Sequence, residues 1–133
     1  GDMNSWGNQP DGEFWKVAIT NPMDKNKAFA LLPLNENAVV TSGNYAKYVT
    51  FNETRYTHII DPRTGYPATG IISATVFAPK AEIADALATS IFVMGREVGI
   101  DFINQLPKIE CIIIDEKGEV FTSKNIEIET IKK

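Results

Sequence analysis

The chain has 133 residues, of which 44% are hydrophobic and 23% are charged, a composition typical of one globular domain rather than a disordered or fibrous segment. Its formal net charge is −4, and its acidic and basic residues are interspersed without a basic stripe, which excludes a nucleic-acid partner. No apolar run approaches the roughly 20 residues that span a bilayer, and the single Cys111 lies in an apolar stretch that predicts a buried core thiol rather than a nucleophile.

The first predicted elements are three strands and the turns between them. Asn21-Pro22 ends the first strand, because proline cannot donate to a strand ladder. A polar loop is expected at residues 24–27. Asn35-Glu36-Asn37 then separates two apolar or β-branched runs and predicts that they pair as a hairpin. The three predicted strands span residues 14–19, 29–34 and 38–42.

A second hairpin is predicted in the next segment of the chain. Residues 45–51 and 55–60 are expected to pair across Asn52-Glu53-Thr54, because their side chains alternate between two faces. The dipeptide Asp61-Pro62 ends the second of these strands, since proline also restricts the residue before it. The alternation places His58 on the face opposite Asp61.

The pattern becomes helical after the following strand, which is predicted at residues 71–77. Pro79 closes that strand, and apolar residues then recur at helical spacing from Lys80 to Met94, with Gly95 at the expected helix end. A second helix is predicted at about residues 97–106. The residues expected to face the core are Ile83, Ala84, Leu87, Ile91 and Met94 in the first helix and Val98, Phe102, Ile103 and Leu106 in the second.

The last predicted elements complete the fold class. Residues 109–115 and 119–123 predict a hairpin across Glu116-Lys117-Gly118, and loosely alternating isoleucines after Asn125 predict a short strand. Hairpins followed by two consecutive helices and another hairpin predict an α+β fold, with an antiparallel sheet of hairpins and two helices packed on one face. Since no repeat or linker interrupts the chain, residues 1–133 are predicted to form a single domain.

Two oxygen-bearing side chains lie four residues apart on the first predicted helix. This spacing places the Asp85 carboxylate and the Thr89 hydroxyl on one face. Nine of the twelve residues from Ile83 to Met94 are apolar, so we expect the helix to be covered on most sides. Two oxygen donors there suit a hard cation such as Mg²⁺. In the alternative reading, Asp85 bonds a loop amide or the positive helix end, and Thr89 bonds its own backbone.

The only histidine of the chain precedes a tight turn rich in hydrogen-bond donors. His58 is followed closely by residues 61–65, in which Gly65 permits a positive φ and Arg63 offers a fork of donors, an arrangement that suits a phosphate. An imidazole is able to accept a proton from an attacking hydroxyl at neutral pH. In the alternative reading, the segment is a hairpin end in which Asp61 bonds its own turn and Arg63 is solvated.

Four segments occur here in an order that is found in one protein family. They are Ser42-Gly43-Asn44-Tyr45, residues 58–67 (HIIDPRTGYP), residues 84–89 (ADALAT) and residues 92–95 (FVMG). Together they closely resemble the ApbE family of FAD:protein FMN transferases, and residues 6–19 look like the middle region of that family. The resemblance covers almost the whole chain and corresponds to the carboxy-terminal part of the family. The amino-terminal half is expected to be absent, either because the chain is a fragment of a complete enzyme, which the start at Gly1 favours, or because it is a shortened relative that cannot close the site.

The resemblance implies an activity, its cofactors and its site residues. In the family, FAD binds near Mg²⁺, and a threonine of a target protein attacks the FMN phosphorus and releases AMP. By this resemblance, Asp85 and Thr89 are metal ligands, and His58 is the base for the acceptor threonine or a residue that positions the flavin phosphate. The residues placed along the FAD site are Ser42, His58, Arg63 and Thr64.

The resemblance also implies a partner and a location. The acceptor is a threonine of a membrane-bound flavoprotein subunit of a sodium- or proton-linked redox pump. An older family label, thiamine biosynthesis lipoprotein, implies a lipid-anchored protein in the periplasm or on the outer face of the membrane. Full-length members are more than twice as long, so these residues alone are expected to show little or no transfer. The alternatives are a magnesium-dependent FAD pyrophosphatase, in which water replaces the threonine, and a flavin-binding module without catalysis.

Overall fold

The structure is a computed structural model that describes residues 1–44 and 48–130. Within these residues, neither helix has the length and apolar character needed to cross a bilayer. The elements are β1 (Asp2–Asn4), β2 (Trp15–Asn21), β3 (Asp24–Leu34), β4 (Ala38–Gly43), β5 (Tyr48–Phe51), β6 (Thr54–Thr57), β7 (Ile71–Ala78), α1 (Ala81–Met94), α2 (Arg96–Asn104), β8 (Glu110–Asp115), β9 (Val120–Thr122) and β10 (Glu129–Thr130).

A five-stranded antiparallel sheet forms the middle layer, with strand order β1-β4-β7-β8-β9. Its two faces are both covered, as alternation along β4 demonstrates: Val40 packs in the core beneath the helices, whereas Val39 packs in a second core. A three-stranded sheet of order β10-β3-β2 supplies the other side of that second core. Since successive side chains point to opposite faces of a strand, burial on both sides explains the continuous apolar runs in β7 and β8. The predicted α+β class is confirmed.

The helices cover one face of this sheet through small residues. Helix α1 packs on β4 and β7, and α2 packs on β8. The buried residues of α1 are Ala84, Ala88, Ile91 and Phe92, so two alanines bring the helix close to the sheet. The prediction that Ile83 faces the core is wrong, because this side chain is 41% exposed.

Helix α2 is rotated relative to its predicted orientation. Gly99 and Ile103 are its buried residues, and a Cβ built on Gly99 would lie 3.2 Å from Cγ2 of Ile91. A methyl group here would be tighter than most packing contacts and would require Ile91 to shift by a few tenths of an ångström, so Gly99 favours the close approach of the two helices. The approach turns Val98 and Phe102 outward, where they are 60% and 38% exposed, so their predicted core positions are wrong.

The predicted hairpin between residues 29–34 and 38–42 is also wrong. In β3, Leu34 pairs with Trp15, whereas in β4 Ala38 pairs with Ala78. The two runs belong to different sheets, which face each other across the second core, where Leu34 and Val39 both pack. The predicted polar loop at residues 24–27 is instead the start of β3. Its first residue, Asp24, pairs with Asn21 at the end of β2.

The other hairpins follow the prediction. Strands β5 and β6 pair antiparallel, and Asn52 and Glu53 at their turn have φ values of 48° and 64°, as a two-residue type I′ loop requires. Strands β8 and β9 form the last predicted hairpin. The short tail strand exists as β10, which pairs with β3. Residues 45–47 of the predicted strand 45–51, and Ile131 in the tail, lie outside the described residues.

Two smaller predictions concern single features of the middle sheet. Cys111 is fully buried, and burial raises the pKa of its thiol to about 11, so the prediction of a core thiol is confirmed. Strand β1 was not predicted, because its three exposed residues carry no alternating apolar pattern. It is the edge strand beside β4.

Replacing Phe92 tests the core beneath the helices. Phe92 is 2% exposed, so Phe92→Ala removes a large buried ring and leaves a cavity, which is expected to cost ~3–5 kcal/mol of unfolding free energy. Urea unfolding followed by circular dichroism measures this loss. The matched control is Phe14→Ala, which truncates a ring that is 43% exposed and is expected to change stability by about 0.5 kcal/mol. Equal losses in both variants would contradict the assigned core.

Candidate active site

The turn at residues 61–65, named the Asp61 turn, is closed by hydrogen bonds to Asp61. The amides of Thr64 and Gly65 donate to the Asp61 carbonyl oxygen at 3.2 and 2.8 Å, and the Arg63 amide donates to Asp61 Oδ1 at 2.9 Å. Gly65 has a φ of 72°, a conformation that glycine adopts without strain. Asp61 therefore bonds its own turn, as in the alternative reading, and these three amides donate to its carbonyl and carboxylate oxygens.

Arg63 joins this turn to the end of helix α1. Its guanidinium donates through Nε to Asp61 Oδ1 at 3.0 Å and through Nη2 to Asp61 Oδ2 at 2.8 Å. The same Nη2 donates to the Val93 carbonyl oxygen at 2.7 Å. Because Val93 lies in the last turn of α1, Arg63 satisfies a helix carbonyl that has no partner within the helix and places a cation at the negative helix end.

This contact perturbs the ionisation of both partners. The Arg63 side-chain hydrogen bond, followed by the hydrogen bond from the Arg63 amide, lowers the pKa of the Asp61 carboxyl. The Asp61 hydrogen bond and charge raise the pKa of Arg63. The ion pair therefore contributes stability above the ordinary aspartate pKa, and this contribution is lost as the pH falls through the lowered one.

Asp85, Thr89 and Val93 form one stripe along α1, named the α1 stripe, because they follow each other at a spacing of four. With a rise of 1.5 Å per residue, Thr89 lies about 6 Å and Asp85 about 12 Å from Val93 along the helix axis. Since Arg63 contacts the carbonyl of Val93, the Asp61 turn lies at the end of a helix whose exposed surface carries the carboxylate and the hydroxyl.

The α1 stripe is exposed, so the expectation that most sides of this helix are covered is wrong. Asp85, Ala86 and Thr89 all face solvent, because only the stripe that contains the alanines at 84 and 88 packs on the sheet. Within residues 1–44 and 48–130, no hydrogen bond or ion pair joins the side chain of Asp85 or of Thr89 to another residue. By contrast, the Ser90 hydroxyl donates to the Ala86 carbonyl oxygen at 2.7 Å, which is the structural role considered as the alternative for Thr89.

The Asp85 carboxylate and the Thr89 hydroxyl are oxygen ligands of the type that Mg²⁺ prefers, but they supply only part of its coordination shell. Among the described residues, no group of three or more His, Cys, Asp or Glu side chains could hold a metal ion. Mg²⁺ in proteins commonly uses one or two carboxylates and completes its six ligands with water and substrate phosphates. Asp85 and Thr89 fit that pattern, provided that the remaining oxygens come from a bound substrate, water or other protein segments.

His58 is exposed, whereas the residues on either side of it are buried and hydrogen-bonded. Thr57 and Ile59 on either side are buried, and the Ile59 amide donates to Thr57 Oγ1 at 3.2 Å. The Ile59 carbonyl accepts from the Ala68 amide at 2.9 Å, and both residues belong to the core beneath the helices. The predicted alternation at His58 is therefore confirmed, and the residue that follows it, Ile59, anchors the backbone to the same core as α1.

Ser42 lies at the same end of the molecule as the Asp61 turn. It pairs with Ala74 near the end of β4, where the Asn44 amide donates to the Ile72 carbonyl oxygen at 3.0 Å. This is the start of β7, and Ile71 and Met94 line one depression there. The end of β4, the start of β7 and the carboxyl end of α1 are therefore neighbours.

Two adjoining depressions mark this end of the molecule. The first encloses about 450 Å³ between the Asp61 turn and residues 92–95 and includes Arg63 and Thr64. The second encloses about 410 Å³ and reaches Arg96 and Asp115. Neither is lined by Ser42, His58, Asp85 or Thr89. Thr69, Met94 and Gly95 line both depressions. The sequence analysis did not predict Thr69 as a site residue, and it indicated Met94 and Gly95 only through the family pattern at residues 92–95.

Arg63→Ala is expected to raise the pKa of the Asp61 carboxyl, because it removes the side-chain hydrogen bonds and the charge of Arg63, while the hydrogen bond from the amide at position 63 remains. Carboxyl chemical shifts followed by NMR during a pH titration measure this change. Arg55→Ala is the matched control, since Arg55 stacks on Tyr48 at 4.5 Å. An unchanged Asp61 pKa in Arg63→Ala would show that this ion pair does not form in solution.

Comparisons with known proteins relate the chain to flavin transferases. A family-wide sequence profile described as the ApbE family matches residues 1–113. The chain is 38% identical over 114 residues to a FAD:protein FMN transferase of Treponema pallidum, covering 84% of this chain and 32% of that protein. It is 36% identical over 123 residues to the protein of that name from Escherichia coli K12, covering 91% and 35%. It thus spans about a third of the length of these relatives.

A solved structure agrees with the sequence matches. A crystal structure of the ApbE protein of Thermotoga maritima aligns with a TM-score of 0.82 at 36% sequence identity. The alignment covers 93% of this chain and 40% of that chain. The three layers described above therefore reproduce one part of a larger fold.

Proposed function

The chain belongs to the ApbE family, and we propose that it is the carboxy-terminal part of an enzyme that transfers FMN from FAD to a threonine of a target flavoprotein. The observation that carries this proposal is the contact between Arg63 and the Val93 carbonyl. It brings the Asp61 turn to the end of the helix on which Asp85 and Thr89 are exposed. Asp61 balances the charge of Arg63, but the guanidinium is 67% exposed and is able to donate to a phosphate as well. The two oxygen donors on the helix suit the cation of a pyrophosphate.

The reaction moves one phosphoryl group and needs little covalent chemistry from the protein. The threonine oxygen forms a bond to the phosphorus of the FMN half of FAD, the bond from that phosphorus to the bridging oxygen breaks, and AMP leaves with that oxygen. His58 accepts the proton of the threonine hydroxyl. Its exposed position supports this role, because a base must be accessible to the group that it deprotonates.

The remaining residues bind and orient. Arg63 and Thr64 line the 450 Å³ depression, where they would bind FAD, and Ser42 lies at the neighbouring end of β4. Asp85 and Thr89 would hold Mg²⁺, which neutralises charge on phosphate oxygens when it is bound. Upstream protein segments are expected to complete the FAD site, so the 133 residues alone are proposed to have little or no transfer activity.

We propose that the acceptor is a membrane-bound flavoprotein subunit outside the cytoplasm and that the full-length enzyme is lipid-anchored.

A second function, the hydrolysis of FAD, is favoured by one observation. Since His58, Asp85 and Thr89 are all exposed, water is also able to reach this surface, and it would then hydrolyse FAD to FMN and AMP.

A product assay with FAD, Mg²⁺ and an acceptor domain tests the proposal. It uses an enzyme of full family length that carries these 133 residues. Protein-bound FMN that survives denaturation, with one AMP released per flavin attached, is the expected result. Free FMN with equimolar AMP would assign the site to FAD hydrolysis instead, and FAD binding without AMP release would identify a flavin-binding module. The isolated chain is the second sample, and robust transfer by it would contradict the need for upstream segments.

A further inference from the structure

The Asp61 carboxylate makes more hydrogen bonds than its turn requires. Its Oδ1 accepts from the Arg63 amide, and this single bond is the one by which an aspartate side chain supports its own turn. The same oxygen also accepts from Nε of Arg63, and Oδ2 accepts from Nη2. Two parallel bonds between a carboxylate and a guanidinium fix the plane of the guanidinium. Asp61 therefore orients the side chain of Arg63 as well as the backbone.

The hydrogen-bond donors of Arg63 are only partly used within the protein. A guanidinium carries five N–H groups. The N–H of Nε and both N–H groups of Nη2 donate to the Asp61 carboxylate and to the Val93 carbonyl oxygen. Among residues 1–44 and 48–130, no acceptor contacts Nη1. Arg63 therefore keeps two N–H groups for a ligand, and both lie on one nitrogen of a planar group that Asp61 and Val93 hold in place.

Asp61 is shielded where Arg63 is accessible. The Asp61 side chain is only 14% exposed, whereas the Arg63 side chain is largely exposed, and both residues line the 450 Å³ depression. Since both carboxylate oxygens of Asp61 already accept hydrogen bonds from Arg63, an effect of Asp61 on a ligand in this depression is expected to pass through Arg63.

We propose that Asp61 is a positioning residue for FAD, which holds the Arg63 guanidinium so that the two N–H groups of Nη1 donate to a phosphate oxygen of FAD in this depression. This inference rests on the proposed function, because that function assigns Arg63 to the FAD site. A free arginine side chain samples many rotamers, and ordering it on binding weakens affinity. Asp61 restricts Arg63 before FAD binds, so less of this ordering remains for the binding step.

The bonds that orient Arg63 all lie within the described part of the chain. Two are made to Asp61 on the turn and one to Val93 on α1, so the guanidinium has its orientation without a contribution from upstream segments. A purely structural role for Asp61 needs only the bond from its Oδ1 to the Arg63 amide. The two roles therefore predict different effects on FAD binding when that bond is kept and the guanidinium is released.

Asp61→Asn in an enzyme of full family length makes this separation. Asparagine keeps one oxygen for the Arg63 amide, but it loses the charge and replaces an acceptor of the guanidinium by a donor. The KM for FAD is expected to rise about three- to tenfold, the effect of ordering one long side chain on binding. The turnover number at saturating FAD and the KM for the acceptor are expected to stay near the parent values. Circular dichroism checks the fold, and Asp61→Ser, whose hydroxyl is also able to accept from the amide, is the second variant if Asp61→Asn does not fold.

Asp24→Asn is the matched control. Asp24 also supports its own turn, since its Oδ1 accepts from the Asn26 amide at 3.2 Å, and its Oδ2 lies 3.4 Å from Nζ of Lys27. It lines neither depression. The control therefore makes the same chemical change in a similar local structure, and it is expected to leave the KM for FAD unchanged.

A double-mutant cycle shows whether Asp61 acts through Arg63. Arg63→Ala is expected to raise the KM for FAD at least as much as Asp61→Asn does. Adding Asp61→Asn to Arg63→Ala is expected to raise it no further, because the group that Asp61 positions is gone. A further rise in the double variant, or an unchanged KM for FAD in either single variant, would overturn the positioning role while flavin attachment still supported the transferase. If the parent enzyme attaches no flavin to the acceptor, the proposed function fails, and this inference fails with it.

Discussion

Asp85→Ala is expected to lower the rate of FMN transfer by the full-length enzyme by about 100-fold or more. Loss of one group that stabilises the charge of a transition state typically has an effect of this size. Asp85 is the only carboxylate on the α1 stripe, which ends at the Arg63 contact with Val93. Removing it leaves Thr89 as the only oxygen donor on the stripe for the cation. Steady-state rates of protein-bound FMN formation, measured over a range of Mg²⁺ concentrations, quantify the loss.

The Mg²⁺ dependence separates a ligand from a structural residue. Asp85→Asn keeps the size of the side chain and one carbonyl oxygen but loses the charge, so it is expected to require a higher Mg²⁺ concentration for half-maximal rate. Asp101→Ala is the matched control, because Asp101 is an exposed aspartate on the neighbouring helix. Circular dichroism checks that both variants fold. A full rate for Asp85→Ala at the Mg²⁺ concentration of the parent would exclude Asp85 as a metal ligand.

The fold could be predicted where short-range signals decide it. Pro79 and Gly95 bracket α1 closely, and Asn52-Glu53 fixes the β5–β6 turn, because turn and helix-end residues act on their own neighbours. Pairing between strands is decided elsewhere. Asn35-Glu36-Asn37 has the composition of a hairpin turn, but the chain there crosses from one sheet to another, since Leu34 pairs with Trp15 and Ala38 pairs with Ala78.

Helix orientation was predicted less well because apolar counts do not distinguish a small residue from a large one. Ala84 and Ala88 face the sheet, where they allow close packing, and the larger Ile83 is left half exposed. In α2, Gly99 determines the contact with Ile91, although a glycine carries no hydrophobic signal. A period of 3.6 residues therefore located both helices and correctly turned Leu87, Ile91, Ile103 and Leu106 to the core, but it misplaced Ile83, Val98 and Phe102.

For the candidate site, the sequence predicted local arrangements of residues but not the contacts between residues that are distant in the chain. Spacing alone placed Asp85 and Thr89 on one helical face, and alternation alone placed His58 on the strand face opposite Asp61. No pattern linked Arg63 to Val93, because the acceptor is a backbone carbonyl thirty residues away that becomes available only where α1 ends. Contacts of this kind depend on the path of the chain, which the side-chain pattern does not encode.

His58→Ala is expected to lower the turnover number for FMN transfer by about 10²–10⁴-fold, the contribution typical of a positioned general base. The KM values for FAD and for the acceptor are expected to change little, since the exposed imidazole is proposed to act on the threonine proton rather than to bind either substrate. Added imidazole is expected to restore part of the rate, because a small base is able to enter the space that the substitution opens. Hydrolysis of FAD gives a second readout on the same variant, and a parallel fall there would assign His58 to water activation as well. A raised KM for FAD with an unchanged turnover number would instead assign His58 to positioning the flavin phosphate, and the proton of the threonine would then need another acceptor.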